Sequence, residues 1–375
     1  MGLQRLCSVA FVSLLSIGQL SIGQLQAADW TASVSKVTNE VIRPGYQALE
    51  DSFGHLESSV STFCAQPPGK MSEVDYLAVR EAWKEAMLAW MQVSWIQFGP
   101  VSSGTPRFDI QIWPIRKGIT HKTVQRLLKD PELSDTKIYQ AGVSIRGLTG
   151  SEYLLFSGSG GKLSQYKQDT IFPGASSSNR CQILKGAVSN AHQTAAQLNK
   201  DWQTEDVISP YTQGVDMLDS DPKDSAKIYN SAASILWNAL LAEIEFIQLR
   251  KLEGPLNIHG KKAKPTLSEA WRSLHSFENI QSQLVLLKGI YQTGFEALVN
   301  SKDSKLNERV LKSFDQLSKQ LESFDQPMKE MLKDQEGRET IAGFRDQLEA
   351  HYTLLRSDVT PITGFILGFN ANDGD

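Results

Sequence analysis

Histidine and cysteine are scarce, with six and three in a chain of 375 residues. No HExxH is present, so the common one-helix zinc-protease site is excluded. Neither CxxC nor a zinc-type cysteine cluster occurs, which removes thioredoxin-type redox chemistry and zinc ribbons. The nucleophile elbow GxSxG and the P-loop are missing too; "GSGGK" at Gly158–Lys162 lacks the P-loop spacing. The 38 lysines and arginines form no basic stripe and are outnumbered by 42 acids. A nucleic-acid partner is therefore not expected. No run of ~20 consecutive apolar residues occurs in the body of the chain, so no transmembrane segment is predicted. Strand-type alternation is rare.

What is present begins with an export signal. "MGLQR" carries one positive charge, "LCSVAFVSLLSIGQL" is apolar, and "LQAADW" holds two small residues. Residues 1–28 read as a secretory signal peptide, cleaved after Ala27 or Ala28. The pentapeptide "SIGQL" repeats in tandem at 16–20 and 21–25 and lengthens this segment. Cys7 precedes most of the apolar run, the wrong place for a lipid-anchor cysteine. Cleavage removes Arg5 and no acid, which takes the formal net charge from −4 to −5. Cys64 and Cys181 remain. In an oxidising compartment an even pair points to one disulfide, with two buried thiols as the alternative.

Helical periodicity dominates the rest. Ile42, Tyr46, Leu49, Phe53, Leu56 and Val60 recur at spacings of three and four, predicting one helix over 30–63 or two joined near Pro44. Val79, Trp83, Ala86, Trp90 and Val93 share a stripe of a helix over 73–98, apolar nearly all round at its end and stopped by Gly99–Pro100. Further helices are expected at 120–129, 135–142, 145–156, 180–202, 224–256, 266–298, 304–323, 326–335 and 337–357. The stretches "VSSGTPRFDIQIWPIRKG" and "SGSGGKLSQYKQDTIFPGASSSN" are long for structureless loops, and such loops tend to be functional. The expected fold is all-α: two packed helical bundles, over 29–205 and 206–375.

Two acids fall on apolar stripes. Leu148, Glu152 and Leu155 share a helix face, as do Leu236, Leu240, Glu243 and Ile247. A buried carboxylate must be paired, protonated or metal-bound. Thr149 lies near enough to Glu152 for both to meet one ligand. Arg107, Trp113 and Thr149 are the candidates to surround Glu152. An arginine would favour the ionised acid, and a tryptophan wall would raise its pKa. "HSFE" places His275 and Glu278 at i,i+3, a spacing that can bind a metal from one helix and more often makes a surface contact. His351 shares a stripe with Phe344, Leu348 and Leu355 and reads as a hydrogen-bonded core residue. "FNANDGD" resembles a calcium loop whose glycine falls one place early for an EF-hand; a structural tail or a cation site is expected there.

The segments "VIRPGYQALEDSFGHLESSVSTFCAQP", "WKEAMLAWMQVSWIQFGP", "RFDIQIWPIRKG", "RGLTGSEYLLF", "NRCQILKG", "FIQLRKLEGPL" and "GFNANDGD", in this order, resemble the imelysin-like proteins, classified with the imelysin peptidases. The resemblance implies a two-domain helical fold, a periplasmic or outer-membrane-associated setting and a link to iron uptake. It also implies a GxHxxE motif at a functional, metal-binding site between the domains. Gly147 and Glu152 match that motif; Thr149 stands where the histidine should be. Trp83 joins Gly147, Thr149, Glu152, Arg107 and Trp113 as an expected motif or binding residue. Glu152, His275 and Glu278 are the candidate metal ligands, and no catalytic residue is assigned. Threonine is a poor ligand for a transition metal beside imidazole. Three functions compete. The first is a non-enzymatic periplasmic protein that binds iron, another divalent metal or a haem-type ligand for uptake. The second is a metallopeptidase. The third is a scaffold for envelope uptake proteins, in which the motif is only structural.

Overall fold

A computed structural model describes residues 30–67, 73–116, 118–157, 177–204, 206–212, 225–260, 262–365 and 367. The signal peptide, its cleavage site, "GSGGK" and "FNANDGD" lie outside these residues. Among those described, all regular structure is helical.

The expected stripes are the core. Tyr46, Leu49, Phe53, Leu56, Val60 and Phe63 are all buried on the helix Arg43–Cys64. That helix packs against Glu73–Met91 and Ser177–Trp202, and the latter also packs on Gly147–Phe156. Cys64 and Cys181 form a disulfide across 117 residues of sequence, tying Arg43–Cys64 to Ser177–Trp202. In the second half, Ser276–Gly294 packs on Ser304–Glu322, which packs on Gln335–Thr353. The first helix, Thr31–Val37, crosses to this second group. Trp30 sits 5.8 Å from Phe295 and 4.7 Å from Phe365 between ring centroids.

One helix, Ile228–Leu256, is long and apolar enough to cross a membrane by length and composition. Here it is a core element: Leu236, Trp237, Leu240, Ile244, Ile247 and Leu252 are buried by neighbouring helices.

Two expected helices are cut short. The one predicted over 73–98 ends at Met91. There the Trp95 indole donates to the Gln92 carbonyl at 3.0 Å, and the Gln92 amide donates to Ser282 Oγ at 2.6 Å. The apolar run that follows is buried as turns. The helix predicted over 266–298 begins only at Ser276. Ala270 and Leu274 before it adopt left-handed backbone, with φ of 51° and 62°, which α-helix cannot accommodate. The hydroxyls of Ser273 and Ser276 bond to the carbonyls of Ala270 and Glu269 at 2.9 and 2.5 Å, offering the backbone an alternative to helix.

His351 is 1% exposed. Its Nδ1 bonds Ser313 Oγ at 2.9 Å and its ring meets Phe314 edge-on at 4.1 Å. Burial pushes its pKa down to about 3, and burial pushes His275 down to about 4. Both are neutral in the fold and protonate near ~6.5 when unfolded. Between those values the unfolded chain binds more protons, so their contribution to stability is lost as pH falls. Glu152 and Glu243, raised by burial, act in the opposite sense. The variant His351→Phe isolates the histidine: its Tm should fall less steeply than wild type from pH 7 to 4. Equal slopes in the two proteins would refute the assignment.

Candidate functional site

The motif helix Gly147–Phe156 is tied down at nearly every residue. Gly147 starts it with φ of +51°, where an added Cβ would lie 2.1 Å from the Ile110 carbonyl oxygen and 2.4 Å from that of Asp109. A Cβ on Gly150 would lie 2.0 Å from the Ile145 carbonyl oxygen. Both glycines are therefore required by close backbone approach. Arg146, just before the helix, bonds Asp109 at 2.5 Å. Thr149 Oγ1 accepts from the Ile112 N–H and donates to the Ile112 carbonyl, each at 3.0 Å. Its hydroxyl is thus spent on strapping the 111–115 segment to the helix. The Trp83 indole donates to Ser151 Oγ at 3.0 Å and to the Leu148 carbonyl at 3.2 Å. Tyr153 shares a 2.6 Å hydrogen bond with His121.

Glu152 is 7% exposed and is met by the second half of the chain. Its Oε1 accepts from the Arg272 and Ser273 backbone N–H groups at 2.9 and 3.1 Å, and Ser273 Oγ lies 3.2 Å away, its one proton shared between Oε1 and the nearer Ala270 carbonyl. The left-handed residues Ala270 and Leu274 shape the turn that aims these donors, the kind of strained backbone that collects at functional sites. Oε2 faces the Arg272 guanidinium at 3.7 Å and carries no hydrogen bond among the described residues. One oxygen is closed and the other is open. Burial pushes the carboxyl above its usual range, while the Arg272 charge and the three donors pull it back.

Glu152 and Arg272 line a cavity with Trp83, Thr149, Trp113 and Trp271, roofed by residues 111–115. Its volume is about 40 Å³, room for an ordered water or two rather than the ~300–1,000 Å³ of a drug-sized site. Beside it lies a buried polar network that joins the halves. Lys251 Nζ donates to Glu269 at 2.7 Å and to Gln283 at 2.8 Å. Glu269 also accepts from Asn279 at 2.9 Å and from Gln111 at 3.1 Å, and Gln111 accepts from the Trp90 indole at 2.7 Å. The Gln283 amide donates to Glu243. Burial raises the Glu243 pKa, with Lys251 and Arg107 opposing and Glu269 reinforcing.

Several sequence expectations change here. Trp83, Trp113, Thr149 and Glu152 do converge on one cavity. Arg107 does not pair with Glu152; its charge acts on Glu243 and Tyr46, and Arg272 takes the expected place. His275 and Glu278 stand apart from the cavity. Their closest approach is 3.8 Å, and the charges acting on His275 are those of Lys84 and Glu81. Among the described residues, no three of His, Cys, Asp and Glu converge where they could hold a metal ion. The donor set around Glu152 does not fit a resident metal: it offers one open carboxylate oxygen beside a guanidinium. Arg272 and Ser273 were missed because their segment reads as helix. The two serine hydroxyls three residues apart, at 273 and 276, were the available signal.

The imelysin family model, of peptidase family M75, matches residues 42–355. No curated protein matches. The fold is similar to the crystal structure of an imelysin-like protein from Psychrobacter arcticum 273-4, with a TM-score of 0.72 at 18% identity, covering 90% of this chain and 96% of that one. It is also similar to a putative iron-regulated protein A precursor from Parabacteroides distasonis ATCC 8503, with a TM-score of 0.71 at 17% identity over 90% of this chain and 96% of that one.

Proposed function

The chain belongs to the imelysin family, and on that premise we propose that it is an exported, non-enzymatic binding protein for uptake of iron or a related metal species. The ligand is held where Glu152 meets the second half of the chain. The half-open carboxylate carries the reading: Oε1 is saturated by three donors, while Oε2 and Arg272 face a cavity walled by tryptophans. The name of the Parabacteroides neighbour, an iron-regulated precursor, supports both the iron link and export. A haem-sized ligand would enter only with the halves opened, since the cavity is about 40 Å³.

The three donors on Oε1 favour a second reading, in which Glu152 is a clasp that fixes the halves and the chain is a scaffold for envelope uptake proteins. The variant Glu152→Gln separates the two, because the amide oxygen still accepts the three bonds while the charge is lost. Melting of wild type with iron or copper, each as the free ion and as its citrate complex, and with haem should show with at least one of them a ligand-dependent rise of several degrees, about 2.7 kcal/mol at a hundredfold excess over Kd. In Glu152→Gln that rise should vanish with the unliganded Tm nearly unchanged. A variant whose Tm rises with ligand as much as wild type supports the clasp alone. Cleavage of an unfolded substrate that EDTA abolishes would overturn the non-enzymatic assignment.

A further inference from the structure

Two cations are drawn to one indole at the cavity rim. The Arg272 guanidinium lies 4.2 Å from the Trp271 ring centroid, and Lys329 Nζ lies 4.9 Å from it. Arg272 also lies over Tyr153 at 5.4 Å. Lys329 comes from the short helix Met328–Met331, so two separate segments deliver the pair. The neighbouring carboxylates neutralise it only in part. Glu152 makes a long ion pair with Arg272, at 3.7 Å, and Glu330, whose charge favours the Lys329 ammonium, is itself 2.5 Å from Lys333. Among the described residues no carboxylate lies within ion-pair distance of Lys329. Three cations, Arg272, Lys329 and Lys333, thus gather with two carboxylates, Glu152 and Glu330, and burial favours the neutral form of Glu152. Burial disfavours the Lys329 ammonium; Glu330 opposes this, Lys333 and Arg272 add to it, and Glu152 again opposes it.

Like charges held together are stable only if something repays their repulsion. The indole face repays part, by ~0.5–2 kcal/mol per cation. An anion that both can reach would repay more, because the guanidinium fork takes a carboxylate or phosphate in paired hydrogen bonds and the ammonium adds a point charge. Stacking on the aromatic rings also restricts the cations, so less entropy is lost on binding. We infer that Arg272 and Lys329, held on Trp271, form an oxyanion subsite beside Glu152 that takes a carboxylate or phosphate group of the ligand. The inference rests on reading the Glu152 cavity as a ligand site, and it names the ligand class. The cargo is an anion, and a metal reaches the site already chelated by carboxylates instead of as a bare ion.

The test is calorimetric titration of the exported chain, at low ionic strength, with sodium citrate and with inorganic phosphate, and sodium chloride as control. Wild type should bind one equivalent of citrate, phosphate or both, more weakly as salt rises; which of them binds identifies the group. Lys329→Met keeps the apolar stem on Trp271 and should weaken binding about tenfold or more at an unchanged Tm, and Lys329→Arg should restore it. Lys305→Met, at an exposed lysine on the helix Ser304–Glu322, should leave binding intact. Wild type that binds neither anion, or equal weakening in Lys329→Met and Lys305→Met, would overturn the subsite. A Glu152-dependent Tm rise with bare ferric ion and no response to either anion would remove the subsite and leave the cavity as a ligand site. No response to any of these ligands would remove both.

Discussion

Lys251→Met should lower the unfolding free energy by about 3–5 kcal/mol, because it leaves buried carboxylates without their cation. The Lys251 side chain is 2% exposed and bonds both Glu269 and Gln283. Methionine fills nearly the same volume, so the loss is electrostatic and not a cavity effect. Glu269 would keep the amides of Asn279 and Gln111, and Glu243 would keep Gln283, but neither carboxylate would face an ammonium. Chemical denaturation at pH 7 measures the loss. The loss should shrink as pH falls, because Glu243, whose pKa is raised by burial, takes up a proton and no longer needs the cation. Adding Glu269→Gln to Lys251→Met should recover part of the stability, since a neutral polar pair is cheaper to bury than a lone charge. A cost below about 1 kcal/mol for Lys251→Met would mean that water reaches the network.

Gly147→Ala is the second large loss, on the order of 3 kcal/mol or more, with an unfolded product as the extreme result. The new methyl would overlap the carbonyls of Ile110 and Asp109, at 2.1 and 2.4 Å. Neither can retreat freely, since the Thr149 strap to Ile112 and the Arg146 bond to Asp109 hold that segment. Gly118 is the matched control. Its φ is +79°, yet a Cβ there meets nothing within 4 Å, so Gly118→Ala should cost only the ~1–2 kcal/mol of left-handed backbone. Similar losses at both glycines would show that backbone strain, and not close approach, sets the motif glycine.

The helices and the inward Glu152 were legible because spacings of three and four report one helix face directly. Its convergence with Trp83, Trp113 and Thr149 was also readable, since these residues flank a long loop and a motif. The closing half of the site was not. Arg272 and Ser273 lie 120 residues away, and the turn that presents them depends on left-handed Ala270 and Leu274, which no local propensity announces. Proximity in sequence favoured Arg107, and the fold spends its charge on Glu243 instead. The i,i+3 spacing of His275 and Glu278 does bring them to 3.8 Å, but spacing alone cannot supply a third ligand. The buried lysine network was hidden for a similar reason: Lys251, Glu269 and Gln283 read as exposed polar residues until three segments fold together.

That the Glu152–Arg272 junction is a ligand site is tested most directly by titrating ferric citrate into wild type and Arg272→Met. The substitution removes the guanidinium and keeps the backbone N–H that holds Glu152 Oε1. Wild type should bind one equivalent, and Arg272→Met should bind about tenfold or more weakly with its Tm within a few degrees. Equal affinity in the two proteins would place the ligand elsewhere and contradict the assignment.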